Sequence, residues 1–492
     1  MFLRLTKTLS WAFVGLGLLV LFLTATPFLM LVAINWSDEE LRLDVKQSLQ
    51  WSPNPQALEE NGYVLLWGIH APTKGDAYAL GRQIVQTQIK MFADGASYSD
   101  WRAYAQANFA YQKPDWADSF CDYSSHECVK YYLANRQILK ELLPKLKVSE
   151  NRLDAILSYR KFEQLIAPLG NSPFPRWGRV ADALESRRIR AIYEIEDGHI
   201  QDGIDLLMQN GKAARFFLLG SESLLAHRIA LSAIQKDMRV VSELIRMRPD
   251  LADMRWDLSG KLLKRIDDKS FNMKKAFQLE VDLARNLVER SLVYCMSGLD
   301  LSGRGPKDKG WCDSTGPLGQ DDRQWPQTFL SGLATRFLFK PIQTLNQIAF
   351  WTELQAELSM SPAHTFDADK LVAESNFKKA MGANLADLFY PINPIGKILT
   401  NVARPNAHSD IEKHHDTIGY MRLVQLQLLA IQNRVPNTSL ENWLAATPVE
   451  LRNPYTLQPM IWRGEAKEIW FQGRQASNTN LKKSSDFVIG FQ

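Results

Sequence analysis

Residues 11–36 read WAFVGLGLLVLFLTATPFLMLVAINW, and no charged side chain interrupts the chain between Lys7 and Asp38. As a helix rising about 1.5 Å per residue, the stretch from Trp11 to Trp36 is roughly 37 Å long, enough to cross a ~30 Å hydrocarbon layer with some tilt. Trp11 and Trp36 mark the expected membrane–water boundaries, where amphipathic rings prefer to lie. Pro27 falls inside the run, and membrane helices tolerate such a kink when neighbouring groups satisfy the freed carbonyl. A cleavable signal would instead end its apolar core at small residues. Thr24-Ala25-Thr26 approaches that pattern, but the apolar run resumes from Pro27 to Ile34. The segment therefore reads as a single-pass anchor. Arg4 and Lys7 precede it, whereas Asp38, Glu39 and Glu40 follow. Because basic residues are retained on the cytoplasmic side, the bulk of the chain is expected outside the cytoplasm.

The remaining ~455 residues exceed what one hydrophobic core holds, so two or three packed units are expected. A hydrophobic content of 46% gives them enough to bury and is unlike a disordered chain. The 58 basic and 54 acidic residues leave a net charge of only +4. There is no Lys/Arg run of the kind that follows a phosphate backbone, which argues against nucleic acid as a partner.

Cysteine usage agrees with the orientation. Cys121 with Cys128, and Cys295 with Cys312, form two local pairs in turn-rich stretches. Beyond the cytoplasm both pairs are expected to oxidise, the second loop contributing roughly 3 kcal/mol by closure entropy. Four separate thiols are the alternative. Neither pair has the two-to-four-residue separation of structural zinc ligands.

The anchor and its stub occupy residues 1–36, and a mixed membrane-proximal region follows over 37–135. There ENGYVLLWGIHAP crosses an apolar run from Tyr63 to Ile69, and DAYALGRQIVQTQIKMFADG reads as a helix. Over 136–296 the patterning is almost wholly helical, with an interruption at Pro144 and Ser149 as the N-cap of the next helix. Gly198 should end one helix and turn the chain into another, giving a hairpin. Ser221 should cap a further helix that carries an apolar stripe through Leu231, Ile234, Met238, Val241 and Ile245 and stops before Pro249. The polar, Gly/Pro-rich stretch 297–327 reads as a loop or linker. A second helical region spans 328–435, broken at Pro391 and Pro394. The last segment, 436–492, alternates short apolar runs with turns and predicts strands at Ile461-Trp462, Ile469–Phe471 and Phe487–Ile489. The expected fold is mainly α: a transmembrane helix, an irregular solenoid-like helical array without a fixed repeat, and a small antiparallel β segment at the C-terminus.

The richest polar cluster is AHSDIEKHHD. On a helix Asp410 and His414 would be one turn apart, and with His408 they could hold a divalent metal. The spacing is not that of the HExxH motif. The structural alternative is a helix start with Ser409 as N-cap and Asp410 and Glu412 favoured by the helix dipole. DLSGRGPKDKG lacks both the Walker ending and a dinucleotide fingerprint, and LLGSESLLA lacks a nucleophile elbow. No cofactor is called for, and no catalytic residue stands out.

Three blocks together carry a resemblance: ENGYVLLWGIHAP, the helical middle, and NPYTLQPMIWRGEAKEIWFQG. The chain resembles a group of uncharacterised proteobacterial envelope proteins with a single membrane anchor, which carry an early NGY…LLG stretch and end in an NPYTGKPMxW…F-like segment. Leu457 and Gln458 stand at the usual Gly-Lys positions of that ending. The resemblance implies the bacterial inner membrane, a periplasmic bulk and no known activity. Two function classes follow. One is non-catalytic binding of another envelope protein, as scaffold, assembly factor or effector inhibitor, through the helical array. The other is a membrane-tethered, metal-dependent hydrolase using the His408–Asp416 cluster.

Overall fold

The computed structural model describes residues 58–93, 98–109, 119–123, 127–165, 174–220, 223–253, 339–381, 392–403, 407–474 and 486–491, with isolated positions between 19 and 45 and between 273 and 279. Among the described residues no helix is long and apolar enough to cross a membrane. Trp11 and Trp36 lie outside them, as do Cys295, Cys312 and the stretch 297–327. Within the apolar N-terminal run the described positions Leu19, Phe22, Ala25, Thr26, Leu29, Met30 and Ala33 are helical. Leu19, Phe22, Leu29 and Met30 are exposed there.

The described residues are mainly helical, with a small antiparallel sheet near the C-terminus. Two compact units are each assembled from separated stretches of chain. The smaller comprises Met1–Trp51, Val281–Thr352 and Val372–Pro405. In it, Asp38 accepts hydrogen bonds from the Ile342 and Gln343 amides at 2.8 and 3.0 Å, at the start of the helix Pro341–Leu358. A carboxylate there satisfies donors that no helix can pair internally. Phe339, Leu345 and Ile348 form its apolar centre, with Leu41, Ile395 and Leu399 packed against them.

The larger unit comprises Ser52–Glu280, Glu353–Leu371 and Asn406–Gln492. It opens with α1 (Gly62–Trp67), whose N-cap Asn61 accepts the Tyr63 amide at 3.0 Å. Then come α2 (Ala77–Ala93), α3 (Tyr98–Asn108), α4 (Cys128–Ala134) and α5 (Arg136–Ser158). The array continues as α6 (Trp177–Glu196), α7 (Ile200–Gly220) and α8 (Leu224–Met247). The hairpin between α6 and α7 turns at Gly198, whose φ of +90° a side chain would oppose. The stripe Leu231, Ile234, Met238, Val241 and Ile245 of α8 is buried, each such side chain contributing about 1.5–3 kcal/mol.

Three local expectations need correction. Pro144 does not interrupt a helix; α5 runs through it from Arg136 to Ser158. An interior proline costs about 3 kcal/mol, and burial of Leu139, Leu142, Leu146, Leu153 and Ile156 on the same helix offsets that cost. Ser149 is accordingly a buried interior residue and no N-cap. The helix with the apolar stripe begins two residues later than expected, with Ser223 at the N-cap position; Ser221 lies outside the described residues.

After the helix Pro341–Leu358 (α9) come α10 (Phe366–Ala380), α11 (Pro394–Ala403), α12 (His408–Gln432) and α13 (Leu440–Ala445). The N-cap position of α12 is Ala407, so Ser409 falls inside its first turn. Strands β1 (Ile461–Arg463), β2 (Glu468–Gln472) and β3 (Asp486–Gly490) pair antiparallel in that order, with Ile461 opposite Trp470 and Ile469 opposite Ile489. Period-2 alternation buries Ile469, Phe471 and Ile489. The sheet lies close on α12, where a Cβ at Gly419 would come within 2.3 Å of the Phe471 ring. The predicted strands and the helix beneath them are therefore both present.

Candidate functional site

The histidine-rich segment opens α12, and His414, His415 and Asp416 are completely buried there. Asp410 faces Arg228 of α8. The guanidinium forks onto the carboxylate, Nε to Oδ1 at 2.6 Å and Nη2 to Oδ2 at 2.9 Å. Such two-point pairing occupies both carboxylate oxygens. His408 Nε2 lies 3.3 Å from Gln355 Nε2 and its ring meets the edge of Phe366. His415 packs between the rings of Phe366 and Tyr455. Burial, and further along the neighbouring charge of His414, hold His227 below the usual imidazole range. Among the described residues no group of three His, Cys, Asp or Glu side chains is arranged to hold a metal ion. His408, Asp410 and His414 thus share the first two turns of one helix, with Asp410 already committed to an arginine.

Asp416 is the hub of this joint. Its Oδ1 accepts the Tyr455 hydroxyl at 2.5 Å and the Arg474 amide at 3.1 Å. The Arg474 guanidinium lies over the Tyr455 ring, 4.2 Å from its centre, and reaches Asp367 at 2.6 Å. Burial, then the charge of Asp416, pushes the Tyr455 phenol well above its ordinary value, so it serves as a donor. Tyr455 is aimed by the NPYTLQ turn. Asn453 accepts the Tyr455 amide at 2.9 Å through its side chain, and its own amide donates to the Gln458 carbonyl at 3.0 Å. Closing that turn puts Leu457 at φ +57°, a conformation that favours glycine. The two most distinctive C-terminal sequence blocks, AHSDIEKHHD and NPYTLQPM, therefore meet.

A second buried polar joint lies among α4, α6, α7 and α8. Glu185 and Arg188 of α6 and Asp237 of α8 are all buried. Arg188 donates through Nη1 to Glu185 Oε2 at 2.5 Å and through Nε to Asp237 Oδ1 at 2.7 Å. Glu185 Oε1 accepts the hydroxyls of Tyr132 at 2.5 Å and Tyr123 at 2.7 Å. Lys236 approaches Glu185 at 3.4 Å and lies over the Tyr123 ring. Burial alone would raise Glu185, but Arg188, Lys236 and the two hydroxyls outweigh it and hold the carboxyl below its ordinary range. Asp237 goes the other way: burial raises it in spite of Arg188. Beside this joint, Glu150 of α5 accepts Ser186 Oγ at 2.5 Å and Arg190 Nη1 at 2.5 Å.

Tyr123 is held in place by a disulfide. Cys121 and Cys128 are bonded, with Sγ atoms 1.99 Å apart, and the closed loop carries Tyr123 onto Glu185. The Cys121 amide donates to the Tyr132 oxygen at 3.0 Å. Arg239 donates to the Tyr123 carbonyl, and the Val129 amide donates to Glu243 at 2.8 Å. The expected Cys121–Cys128 pairing is present; Cys295–Cys312 lies outside the described residues.

Glu185, Arg188 and Asp237 do not stand out in the sequence, because charged residues on amphipathic helices ordinarily face solvent. All six residues of LESRRI, Leu184 through Ile189, are buried although four of them are polar, so over this stretch α6 turns no side chain to solvent. No family model, curated protein or solved structure matches the chain.

Proposed function

We propose that this chain is an inner-membrane protein anchored by residues 11–36, with its N-terminus in the cytoplasm and its bulk in the periplasm. Its helical array acts by binding another envelope protein, as a scaffold, assembly factor or effector inhibitor, without turning over a substrate. The observation that carries this reading is the commitment of the carboxylates that could do chemistry. Asp410 is forked by Arg228, Asp416 holds Tyr455 and the Arg474 amide, and Glu185 holds Arg188 and two tyrosines. They join helices to helices and to loops. The buried Cys121–Cys128 bond supports an oxidising compartment. Exposed Leu19, Phe22, Leu29 and Met30 support a helix whose surroundings are apolar.

Ile138, Phe174 and Leu219 are large apolar side chains of the array, each more than half exposed, and are available for contact. A photo-crosslinking residue at each position in growing cells is expected to trap one discrete partner, and Leu219→Asp should weaken that capture. No trapped partner from any of the three positions sinks the binding reading. Topology is tested separately. Alkaline phosphatase fused after Gly310 should be active, and an inactive fusion with an active cytoplasmic reporter at the same point reverses the assignment.

A further inference from the structure

Two oxygens in the Glu185–Asp237 joint make no hydrogen bond among the described residues: Asp237 Oδ2 and Asn210 Oδ1. Both side chains are fully buried. A buried acceptor without a donor is costly, and two in adjacent side chains call for a common cause. The orientation of the Asn210 amide is fixed by its neighbour, since Nδ2 donates to the Leu184 carbonyl at 2.8 Å and an oxygen there could not. Nδ2 also donates to Asp237 Oδ1, 3.4 Å away. Arg188 Nε donates to that same oxygen at 2.7 Å. All donors that reach Asp237 thus converge on Oδ1, the pattern of a carboxylic acid with one carbonyl oxygen and one hydroxyl. Glu185, by contrast, accepts on both oxygens.

We propose that Asp237 carries a proton on Oδ2 at neutral pH and donates it to Asn210 Oδ1, closing an amide–acid ring between α7 and α8. One proton taken from solvent forms the Oδ2–H bond, and that hydroxyl then satisfies both orphaned oxygens. The groups facing the ring are Glu185 and Arg188 from α6, Arg215 from α7, and Lys236 on α8 itself, with Tyr123 and Tyr132 on the far side of Glu185. Of the two carboxyls that share Arg188, Glu185 has the extra cation and the two phenol donors, and it keeps the negative charge. Burial acts on Asp237 in the direction this arrangement requires, and the charge of Glu185 adds to it. Raising the pH ionises Asp237 and places a second negative charge among α6, α7 and α8. The array core is therefore built to tighten as pH falls from alkaline toward neutral.

The test is infrared spectroscopy of the full-length protein labelled with ¹³C at aspartate carboxyls, which separates aspartate from glutamate. The expected result at pH 7 is a protonated-aspartate carbonyl band that moves in D₂O and is absent from the Asp237→Asn variant. That variant supplies an amide N–H to Asn210 Oδ1 and an oxygen to Arg188. Absence of the band at pH 7, or its persistence in folded Asp237→Asn, overturns the proposal. Should Asp237→Asn not fold, titration of the labelled wild type decides: one aspartate must lose its proton above neutral pH, and no such step overturns the assignment.

Discussion

Around Glu185 the partners are whole helices; around Asp416 they are the backbone and ring of a loop. The first joint places Arg188, Tyr132 and Asp237 on three packed helices, and it borrows one loop residue, Tyr123, through a disulfide. The second hangs the NPYTLQ turn and the chain just after β2 on a single carboxylate. Both bury charge, but the helical joint compensates it inside, with an arginine almost wholly out of water. The C-terminal joint draws on Arg228 and Arg474, both of which keep contact with solvent. Removing one member of a fully buried pair strands its partner, whereas a partly exposed arginine can return to water. The molecule is therefore brittle in one region only: the array should fail as a unit, and the C-terminal module should yield locally.

The sharpest break of that comparison is Glu185→Ala. It leaves Arg188 short of one carboxylate and two phenols without acceptors, and an unfolding loss of about 3–5 kcal/mol is expected by urea denaturation. A loss under 1 kcal/mol would mean that the joint is not internally compensated. Replacing Cys121 and Cys128 with serine should cost about 2.5 kcal/mol from the seven-residue separation. Adding Tyr123→Phe to that variant should cost little more, because the two changes release the same loop; full additivity would detach the disulfide from the joint. At the other joint, Tyr455→Phe removes the donor to a buried carboxylate and should cost about 2 kcal/mol. Amide exchange should rise over residues 453–474 and stay unchanged over α6 and α8.

Acid and alkali separate the two as well. Glu185 titrates below its unfolded value, so its contribution is present above the ordinary carboxyl pKa and is lost as pH falls through the lower folded value. Tyr455 titrates above its unfolded value, so its contribution holds below about pH 10 and is lost as pH rises beyond that. Glu185→Gln should flatten the acid limb of stability alone, and Tyr455→Phe the alkaline limb alone. The smallest effect is expected at Leu457, where glycine relieves a left-handed backbone and Leu457→Gly should stabilise by about 0.5 kcal/mol in spite of its lost contacts.

These two regions were also unequally legible in the sequence. The apolar stripe from Leu231 to Ile245, the turn at Gly198 and the three strands follow from periodicity and turn chemistry, which are local. Pro144 misled because a local penalty was outweighed by five buried side chains that only the packed array supplies. The serine at 409 looked like a cap, but the cap and the helix start both lie two residues earlier, where Ala407 has no polar side chain to signal it. Arg188 and Asp237 are 49 positions apart, and Asp416 and Tyr455 are 39 apart. Pairings at that range depend on how helices stack, which charge patterning along one helix does not encode. The segment 408–416 drew attention as a polar cluster, and what it lacked in sequence was its partners: Arg228, Phe366, Tyr455 and Arg474.

If these polar clusters hold the molecule together and recognition is left to the exposed array surface, as proposed, the two can be separated by one substitution. Asp416→Asn tests that separation most directly, with melting temperature and partner crosslinking from Leu219 measured on the same full-length protein. A lower melting temperature and unchanged crosslinking per folded molecule are expected. A variant that melts with the wild type yet loses crosslinking or cellular function would contradict it, and would return the histidine segment to the position of an active centre.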